Sequence, residues 1–254
     1  MKFATYPSLA GRVVFVSGGA TGIGCEIVRA FASHASKVVF VDLDAKAGSA
    51  LAAELVEAGQ SATFIETDVT EIEALRRAID DTRAHLGPIA VLVNNAANDD
   101  RHEFAKVDAA YWDHALNVNL RHHFFAAQAV HPHMKELGHG AIINLGSIAW
   151  RRGGGEFPAY ATAKAGILGL TRALARSLGP DNIRVNSIEP GAVLTERQKK
   201  LWYTTPESLE GIMQRQSLKK TLRGEDIARA ALFLAADDSH MITSQSLIVD
   251  CGLR

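Results

Sequence analysis

The sequence predicts a single α/β domain, a doubly wound parallel sheet of seven strands with helices on both faces. Three observations predict this fold class. Short apolar runs alternate with longer helical stretches along the chain. The runs are apolar on both faces, which is typical of strands in a parallel sheet that helices cover on both sides. The connections are short, and 254 residues are within reach of one large domain.

Seven runs rich in β-branched and other apolar residues are the predicted strands, and each is followed by polar or turn-forming residues. They cover residues 13–17, 37–42, 62–67, 89–95, 140–147, 183–190 and 246–250.

Apolar residues recur at a spacing near 3.6 between the strands, which predicts amphipathic helices. The clearest helical stretches cover residues 23–35, 45–57, 72–85, 111–137 and 159–178. A long polar segment with aromatic residues, 191–225, follows the sixth strand. An insertion of this length at the end of a sheet predicts a lid over a substrate site, within one catalytic domain that spans 1–254.

Composition excludes several classes of partner. Apolar residues make up 47% and charged residues 22% of the chain, and 27 basic side chains oppose 28 acidic ones. A net charge of −1 does not favour nucleic acid or an anionic membrane. Cys25 and Cys251 fit no metal or redox spacing, so we expect two free thiols in a reducing compartment. We see no signal peptide or membrane span and expect a cytoplasmic protein.

A glycine-rich turn, SGGATGIG, connects the first strand to the first helix and predicts a dinucleotide site of the Rossmann type. Glycines let the backbone turn sharply and approach a pyrophosphate at the N-terminus of the helix, where free N–H groups favour anions. The G-x-x-x-G-x-G spacing differs from the usual G-x-G-x-x-G, and alone it would fit any tight turn. The turn residues predicted to bind the cofactor are Gly18, Thr21, Gly22, Ile23 and Gly24.

Asp42, at the end of the second strand, predicts NAD rather than NADP. An acid at this offset holds the hydroxyls of the adenosine ribose. Its carboxylate would repel a 2′-phosphate, and the glycine turn contains no arginine or lysine to compensate.

The third and fourth strands also end in residues expected at the carboxyl edge of the sheet, where ligands bind in open α/β folds. Asp68 and Val69 follow the third strand, Asn95 ends the fourth, and Ala96 follows it. A purely structural alternative is that Asp68 caps the next helix and the asparagine satisfies turn backbone.

Tyr160 and Lys164 in YATAK lie on one helix face, one turn apart. A nearby ammonium group favours phenolate and is expected to lower the pKa of the tyrosine, so that it can exchange a proton. Ser147 ends the fifth strand, where its hydroxyl can contact the reacting oxygen. Alone, a Y-x-x-x-K spacing is usually a surface tyrosine beside a solvated lysine.

These motifs, together with NNAA, NVNL and PGAVLT, resemble the short-chain dehydrogenase/reductase family over nearly the whole chain. The resemblance implies a catalytic tetrad of Asn119, Ser147, Tyr160 and Lys164. Tyr160 would be the acid/base, Ser147 would position the substrate oxygen, Lys164 would tune Tyr160 and bind the nicotinamide ribose, and Asn119 would hold a water. It also implies that Pro190, Gly191, Val193 and Thr195 flank the nicotinamide.

Ala97 departs from the family pattern, which usually has NNAG at this place. An alanine would be strained there if the position requires positive φ.

The segment NDDRH, residues 98–102, places five strongly polar side chains after the fourth strand. A sterol or fatty-acyl site would be mainly apolar, whereas these groups suit a ligand covered in hydroxyls. NDDRH, NVNLRHH, GSIAW and TERQKKLWYTTPE resemble the bacterial aldose 1-dehydrogenases of the D-xylose, L-arabinose and L-fucose type, which implies oxidation of a sugar at C1 to a lactone. The candidate substrate-binding residues are Asn98, His102, Ser147, Trp150, Tyr160, Glu189, Gln198 and Trp202.

Other interpretations remain open from the sequence. NDDRH can be a solvated loop in which Asp99 or Asp100 pairs with Arg101. The protein can be a polyol dehydrogenase, a 3-oxoacyl carrier-protein reductase, or a non-catalytic dinucleotide sensor, although the filled tetrad argues against a sensor.

The ten histidines include the pairs His122/His123 and His131/His133. They lack the carboxylate constellation of a metal site, so we expect no metal and place them on helix surfaces or in an interface. Similar family members are usually tetramers, and the long helices 111–137 and 159–178 have apolar faces that could form a homotetramer.

Overall fold

The computed structural model describes residues 3–153 and 155–253, and it confirms the α/β fold with one parallel sheet of seven strands. Strand bounds agree with the sequence prediction to within two residues. The strands are β1 (Val13–Ser17), β2 (Lys37–Asp42), β3 (Ala62–Glu66), β4 (Ile89–Asn94), β5 (Gly140–Leu145), β6 (Ile183–Pro190) and β7 (Ser246–Val249).

The strand order β3-β2-β1-β4-β5-β6-β7 reverses direction between β1 and β4. In open parallel sheets the ligand crevice lies at the carboxyl ends of the strands, next to such a reversal. The last residues of the two strands, Ser17 and Asn94, lie opposite each other in the sheet. The glycine-rich turn and NNAA therefore meet at this crevice.

Nine α-helices connect or flank the strands in the described part of the chain. They are α1 (Gly22–Ser33), α2 (Ala45–Glu57), α3 (Ile72–Leu86), α4 (Ala109–Leu116), α5 (His122–Leu137), α6 (Pro158–Leu178), α7 (Glu196–Leu201), α8 (Pro206–Arg215) and α9 (Gly224–Ala235).

The single helix predicted over 111–137 is wrong, because a π-helical segment, Asn117–Arg121, separates α4 from α5. A π segment widens the helix locally, and such segments frequently occur at functional sites. Here it contains Asn119, a member of the predicted tetrad.

Apolar side chains cover both faces of the sheet, which explains why the strands read as continuous apolar runs. In β1, Val14 and Val16 pack in a core with α1, α2 and α9. Val13 and Phe15 point to the opposite face and pack in a core with α3, α5 and α6. These four residues are at most 5% exposed. The alternation fixes which strand residues face α6.

His122 and His123 contradict the prediction of a surface or interface position. Both are 0% exposed and belong to the first turn of α5, which faces the sheet. His133 is also buried, whereas the side chain of His131 is partly exposed and pairs with Asp181.

Both cysteines, Cys25 and Cys251, are free thiols, as expected. Across residues 3–153 and 155–253, no helix is long and apolar enough to cross a membrane.

Candidate active site

The glycine-rich turn lies tightly against the end of β4. The backbone N–H groups of Gly18 and Gly19 donate to the carbonyl oxygen of Val41 at 2.7 and 3.1 Å. Gly18 has a φ of +66°, and a Cβ at this position would lie 2.6 Å from the Cα of Ala96. Only glycine fits here, so its place in the sequence motif follows from packing as well as conformation.

The N-terminus of α1 opens at this turn with its first N–H groups available. Thr21 precedes the helix and its side chain caps none of these groups among the described residues. The Asp42 carboxylate lies at the same edge and accepts hydrogen bonds from the backbone of Ala20, at 3.0 Å, and of Asp44, at 3.1 Å. Two fixed backbone donors orient this carboxylate and leave lone pairs for a ribose hydroxyl. The glycine turn, the N-terminus of α1 and Asp42 together form a cradle, and this cradle fits a dinucleotide.

Two other strand ends have a structural role alongside the predicted cofactor contact. Asp68 accepts hydrogen bonds from the backbone and hydroxyl of Thr70, and Val69 is buried beside it. The Asn95 amide donates to the carbonyl oxygens of Ser17, at 3.2 Å, and Gly18, at 2.7 Å. Asn95 thus ties the glycine turn to β4.

Ala97 is not strained. It is absent from the non-glycine residues with positive φ in the described chain, which are Ala35, Asn182, Ser244 and Cys251. The substitution of alanine for the usual glycine therefore leaves the backbone near the cofactor in an ordinary conformation.

Tyr160 and Lys164 occupy consecutive turns of α6 on the face toward the carboxyl end of β5. Lys164 is 1% exposed, and its Nζ donates to the carbonyl oxygen of Leu145 at 2.8 Å. That Nζ lies 5.5 Å from the centroid of the Tyr160 ring. Burial lowers the pKa of Lys164 to about 7, against the opposing effect of the Asp99 carboxylate. The lysine is thus only partly charged at neutral pH.

The pKa of Tyr160 is raised, not lowered as the sequence argument expected. Burial is the largest cause, and the negative charge of Asp99 adds to it, while a hydrogen bond with Ser147 acts in the opposite direction. The expectation was wrong because it weighed only the lysine charge, whereas desolvation of both groups dominates. In the free protein the tyrosine is a neutral phenol.

Asn119 lies in the π-helical segment and is 1% exposed. Its Oδ1 accepts from the backbone N–H of Asn98 at 2.9 Å, and its Nδ2 donates to the carbonyl oxygen of Ala115 at 2.9 Å. The side chain therefore anchors the start of NDDRH to α4.

The residues predicted to flank a nicotinamide converge with the glycine turn. Gly191 donates to the carbonyl oxygen of Val249 at 2.9 Å, next to Pro190 at the end of β6. Thr195 caps α7, and its Cγ2 would lie 3.4 Å from a Cβ on Gly22. Val193 is buried nearby. The loops after β1 and β6 thus meet across the crevice.

The rim segment, residues 98–102, is bound to α7 instead of lying free in solvent. Arg197 donates to Asp99 at 3.2 Å, to the Asn98 side chain at 3.2 Å and also to Asp100. Gln198 Nε2 donates to Asp99 Oδ2 at 2.6 Å. Asp99 and Asp100 pair with Arg197, so the interpretation of a loop in which either one pairs with Arg101 is wrong.

Arg101 is held by other partners. It pairs with Glu156 at 2.7 Å, and its guanidinium stacks 3.8 Å from the centroid of the Trp202 ring. His102 hydrogen-bonds the Tyr111 hydroxyl through Nδ1 at 2.8 Å. Arg197, Tyr111 and Glu156 are site neighbours that sequence reasoning missed. Arg197 and Glu156 pair with residues far away along the chain, and the contact between Tyr111 and His102 follows no helix or strand spacing, so no local pattern indicates these pairs.

Trp150 and Glu189 form a pair beside Ser147. The indole Nε1 of Trp150 donates to Glu189 Oε2 at 3.0 Å. The structure thus brings the predicted substrate residues to one edge of the sheet, although His102 and Trp202 are engaged with Tyr111 and Arg101.

The buried histidines support the back of the site. His122 Nε2 hydrogen-bonds the carbonyl oxygen of Ala96 at 3.0 Å, and His123 Nδ1 hydrogen-bonds Asn144 Oδ1 at 3.3 Å. Burial lowers the pKa of His122 to about 3, and it also lowers the pKa of His123. Both rings are neutral and form part of the wall behind Lys164.

A glycine turn lies at the strand reversal, a serine follows β5, and a buried lysine and a tyrosine lie beside it on α6. Together these groups define a dinucleotide-dependent oxidoreductase. The chain belongs to the short-chain dehydrogenase/reductase family. The family profile described as Enoyl-(Acyl carrier protein) reductase matches residues 18–254. The protein is accordingly a dehydrogenase that uses a nicotinamide dinucleotide.

Two relatives are similar over essentially their whole length. The chain is 49% identical to a probable galactose dehydrogenase of Rhizobium meliloti, covering 98% of this chain and 97% of the relative. It is 46% identical to the D-xylose 1-dehydrogenase of Caulobacter vibrioides, covering 100% of both. Among solved structures, a 7α-hydroxysteroid dehydrogenase with NADH and 7-oxoglycochenodeoxycholic acid superposes with a TM-score of 0.93 at 32% identity, covering 100% of this chain and 98% of the other.

Proposed function

We propose that the protein oxidises a monosaccharide at C1, converting an aldose to a sugar lactone with NAD as the hydride acceptor. The observation that carries this proposal is the polar rim. Asp99 influences the titration of both Tyr160 and Lys164 and is held by Arg197 and Gln198. Such a surround suits a polyhydroxylated ligand and disfavours a sterol. The relatives named for galactose and D-xylose support the same class.

In this proposal Tyr160 takes the proton of the anomeric hydroxyl. Ser147, which follows β5, donates a hydrogen bond to the substrate oxygen and holds C1 in position. Lys164 binds the nicotinamide ribose and, when charged, stabilises the phenolate. Asn119 fixes the backbone of the rim and holds a water in the path of the released proton.

The reaction balances as one hydride and one proton. The C1–H bond breaks with its electron pair, the O–H proton passes to Tyr160, and the C1–O bond becomes the carbonyl of the lactone. An oxidised nicotinamide held by the residues named below would supply the hydride acceptor and a positive charge. Because a positive charge favours phenolate, the raised pKa of Tyr160 in the free protein does not prevent it from acting as the base.

We propose NAD rather than NADP as the cofactor. The Asp42 carboxylate is fixed by Ala20 and Asp44 at the place where the adenosine ribose of a dinucleotide in this cradle would lie. The remaining cradle contacts in this proposal come from the turn and from Asp68, Val69, Asn95, Ala96, Pro190, Gly191, Val193 and Thr195.

We also propose that residues 191–225 form a lid over the sugar. The chain from 1 to 254 would be one catalytic domain. In this proposal it assembles as a homotetramer and works in the cytoplasm. Arg197 and Gln198 of α7 contact the rim, which supports a lid at this place. The exposed aromatic side chains Trp112 and Phe124 on α4 and α5 support an interface between subunits.

Replacing Tyr160 by Phe tests whether the site is catalytic. We expect NADH formation to fall by about three orders of magnitude or more, because the base is lost, while NAD binding measured by calorimetry is retained. The Tyr6→Phe exchange is the matched control, because Tyr6 is half-buried and lies beside His34 at the C-terminal end of α1, away from the crevice. Wild-type turnover by Tyr160→Phe would contradict the assigned role.

A further inference from the structure

Glu189 is a carboxylate in an unusual environment. It is 1% exposed, at the end of β6, and burial raises its pKa, while Trp150, Arg151 and Ser246 act to lower it. Its Oε2 accepts from the Trp150 indole, whereas its Oε1 has no hydrogen-bond partner among the described residues. A buried carboxylate oxygen left without a donor is costly, so such an atom calls for an explanation.

The position of Glu189 connects it to the reacting centre. Side chains alternate along β6, and Val185, which has the same parity, packs in the core formed with α6. Ile188, of the opposite parity, packs with α9. Glu189 therefore belongs to the face of the sheet that carries Tyr160.

Ser147 is the nearest catalytic neighbour along the adjacent strand. Gly146, which directly precedes it, donates its N–H to the carbonyl oxygen of Ile188 at 2.8 Å. A Cβ on Gly146 would lie 3.4 Å from Cγ and 3.6 Å from Cδ of Glu189. The carboxylate thus lies against the backbone that holds Ser147.

The two carboxylates around the site differ in what they can still accept. Asp99 already receives hydrogen bonds on both oxygens, Oδ1 from Arg197 and Oδ2 from Gln198. In Glu189, Oε2 accepts from Trp150, whereas Oε1 has no donor within residues 3–153 and 155–253. A hydroxyl is a donor of suitable size for the free oxygen, and a hydrogen bond to a charged acceptor is stronger than one between neutral groups.

We propose that Glu189 determines sugar specificity by accepting a hydrogen bond on Oε1 from a ring hydroxyl other than the one oxidised, with Trp150 holding the carboxylate in place. This inference rests on the proposed sugar oxidation. A site built around a hydroxyl donor rejects an epimer or deoxy sugar that lacks it, because the buried acceptor is then left unsatisfied.

Glu189→Gln, assayed with the best aldose and its 2-, 3- and 4-deoxy analogues, tests the inference. The amide keeps the shape and can still accept from Trp150, but it turns the free acceptor into a donor. In the wild type one deoxy analogue should lose about 10- to 100-fold in kcat/KM. In Glu189→Gln the kcat/KM of the parent sugar should fall by about the same factor. That one analogue should then be oxidised about as efficiently as the parent sugar.

Two further variants separate specificity from structure. Trp150→Phe removes the donor but keeps the carboxylate, so a Glu189 that only anchors Trp150 would give the same kinetics in both variants. Glu66→Gln, at the exposed end of β3, is the matched control and should leave kcat/KM unchanged for the parent sugar and every analogue. Thermal melting checks folding, and Glu189→Asp, which keeps the charge and shortens the reach, should also lose selectivity if Glu189→Gln does not fold.

The inference is overturned if Glu189→Gln lowers kcat/KM by one common factor for the parent sugar and all analogues, or leaves kcat/KM unchanged for every one of them. If the wild type oxidises no aldose, the proposed function fails and the inference fails with it. Turnover of aldoses with an unchanged deoxy penalty would overturn the inference alone.

Discussion

Asp99 links the polar rim to the acid/base chemistry. Its carboxylate raises the pKa of both Tyr160 and Lys164, since it disfavours a second negative charge and favours a positive one. Asp100, its neighbour, affects neither group and lies more exposed. One of two adjacent acids therefore acts on the reacting groups, a distinction that NDDRH as a sequence does not contain.

Asp99→Asn should shift the rise of the oxidation rate to lower pH. Oxidation needs the phenolate, so kcat/KM rises as pH passes the pKa of Tyr160. Removing the negative charge lowers that pKa, and the pKa of Lys164 falls with it. The measurement is the pH profile of kcat/KM, with Asp100→Asn as the control that keeps the wild-type midpoint. A midpoint that moves upward, or moves equally in both variants, would contradict this account.

The rim and α7 form a latch at the scale of secondary-structure elements. Arg197 and Gln198 reach Asn98, Asp99 and Asp100 on the opposite side of the crevice. These bonds join α7 to the rim without a large apolar contact, because no residue of Glu196–Leu201 is buried. Such a contact suits a segment that opens to admit substrate.

Arg197→Gln should loosen the proposed lid without unfolding the protein. Exposed ion pairs contribute little each, so we expect a loss of about 1 kcal/mol and about fivefold faster amide hydrogen exchange in α7 and α8. Exchange in α6 should stay at the wild-type rate. Lys199→Gln lies on the same helix and pairs only with Glu196 among the described residues, so it serves as the control. Equal exchange in the two variants would argue against the latch.

The elements also show why part of the structure was predictable. Strand ends, the glycine turn and the Tyr160–Lys164 spacing depend on residues close in sequence, and all lie where they were predicted. The π segment around Asn119, the stacking of Arg101 on Trp202 and the burial of His122 depend on packing between distant segments. No local periodicity encodes those contacts, so sequence reasoning assigned the histidines to helix surfaces or an interface and missed Arg197.

At the scale of the whole molecule, the neutral buried histidines make stability depend on pH. His122 has its pKa lowered to about 3 from 6.5, so between these values the unfolded chain binds a proton that the folded chain does not. Stability therefore falls as pH drops below 6.5, with a limiting slope of about 1.4 kcal/mol per pH unit for this residue. His123 acts in the same direction.

His122→Gln should reduce the pH slope of the free energy of unfolding by about 1.4 kcal/mol per pH unit, which corresponds to one proton. The glutamine amide can donate to Ala96 but does not titrate. Urea unfolding at several pH values between 7 and 4.5 measures the slope. His114→Gln, an exposed exchange on α4, is the control. An unchanged acid slope in His122→Gln would mean that the buried ring is not the group responsible.

The most direct test of the central claim is the initial rate of NADH formation with D-galactose, D-xylose, L-arabinose and L-fucose. The same assay should include the corresponding polyols, a 1,5-anhydro sugar without the anomeric hydroxyl, and NADP in place of NAD. We predict turnover of at least one aldose, preference for NAD, and no turnover of the anhydro sugar, since oxidation at C1 needs the anomeric hydroxyl. No NADH formation with any aldose, or equal rates with the aldose and the anhydro sugar, would contradict oxidation at C1 by this site.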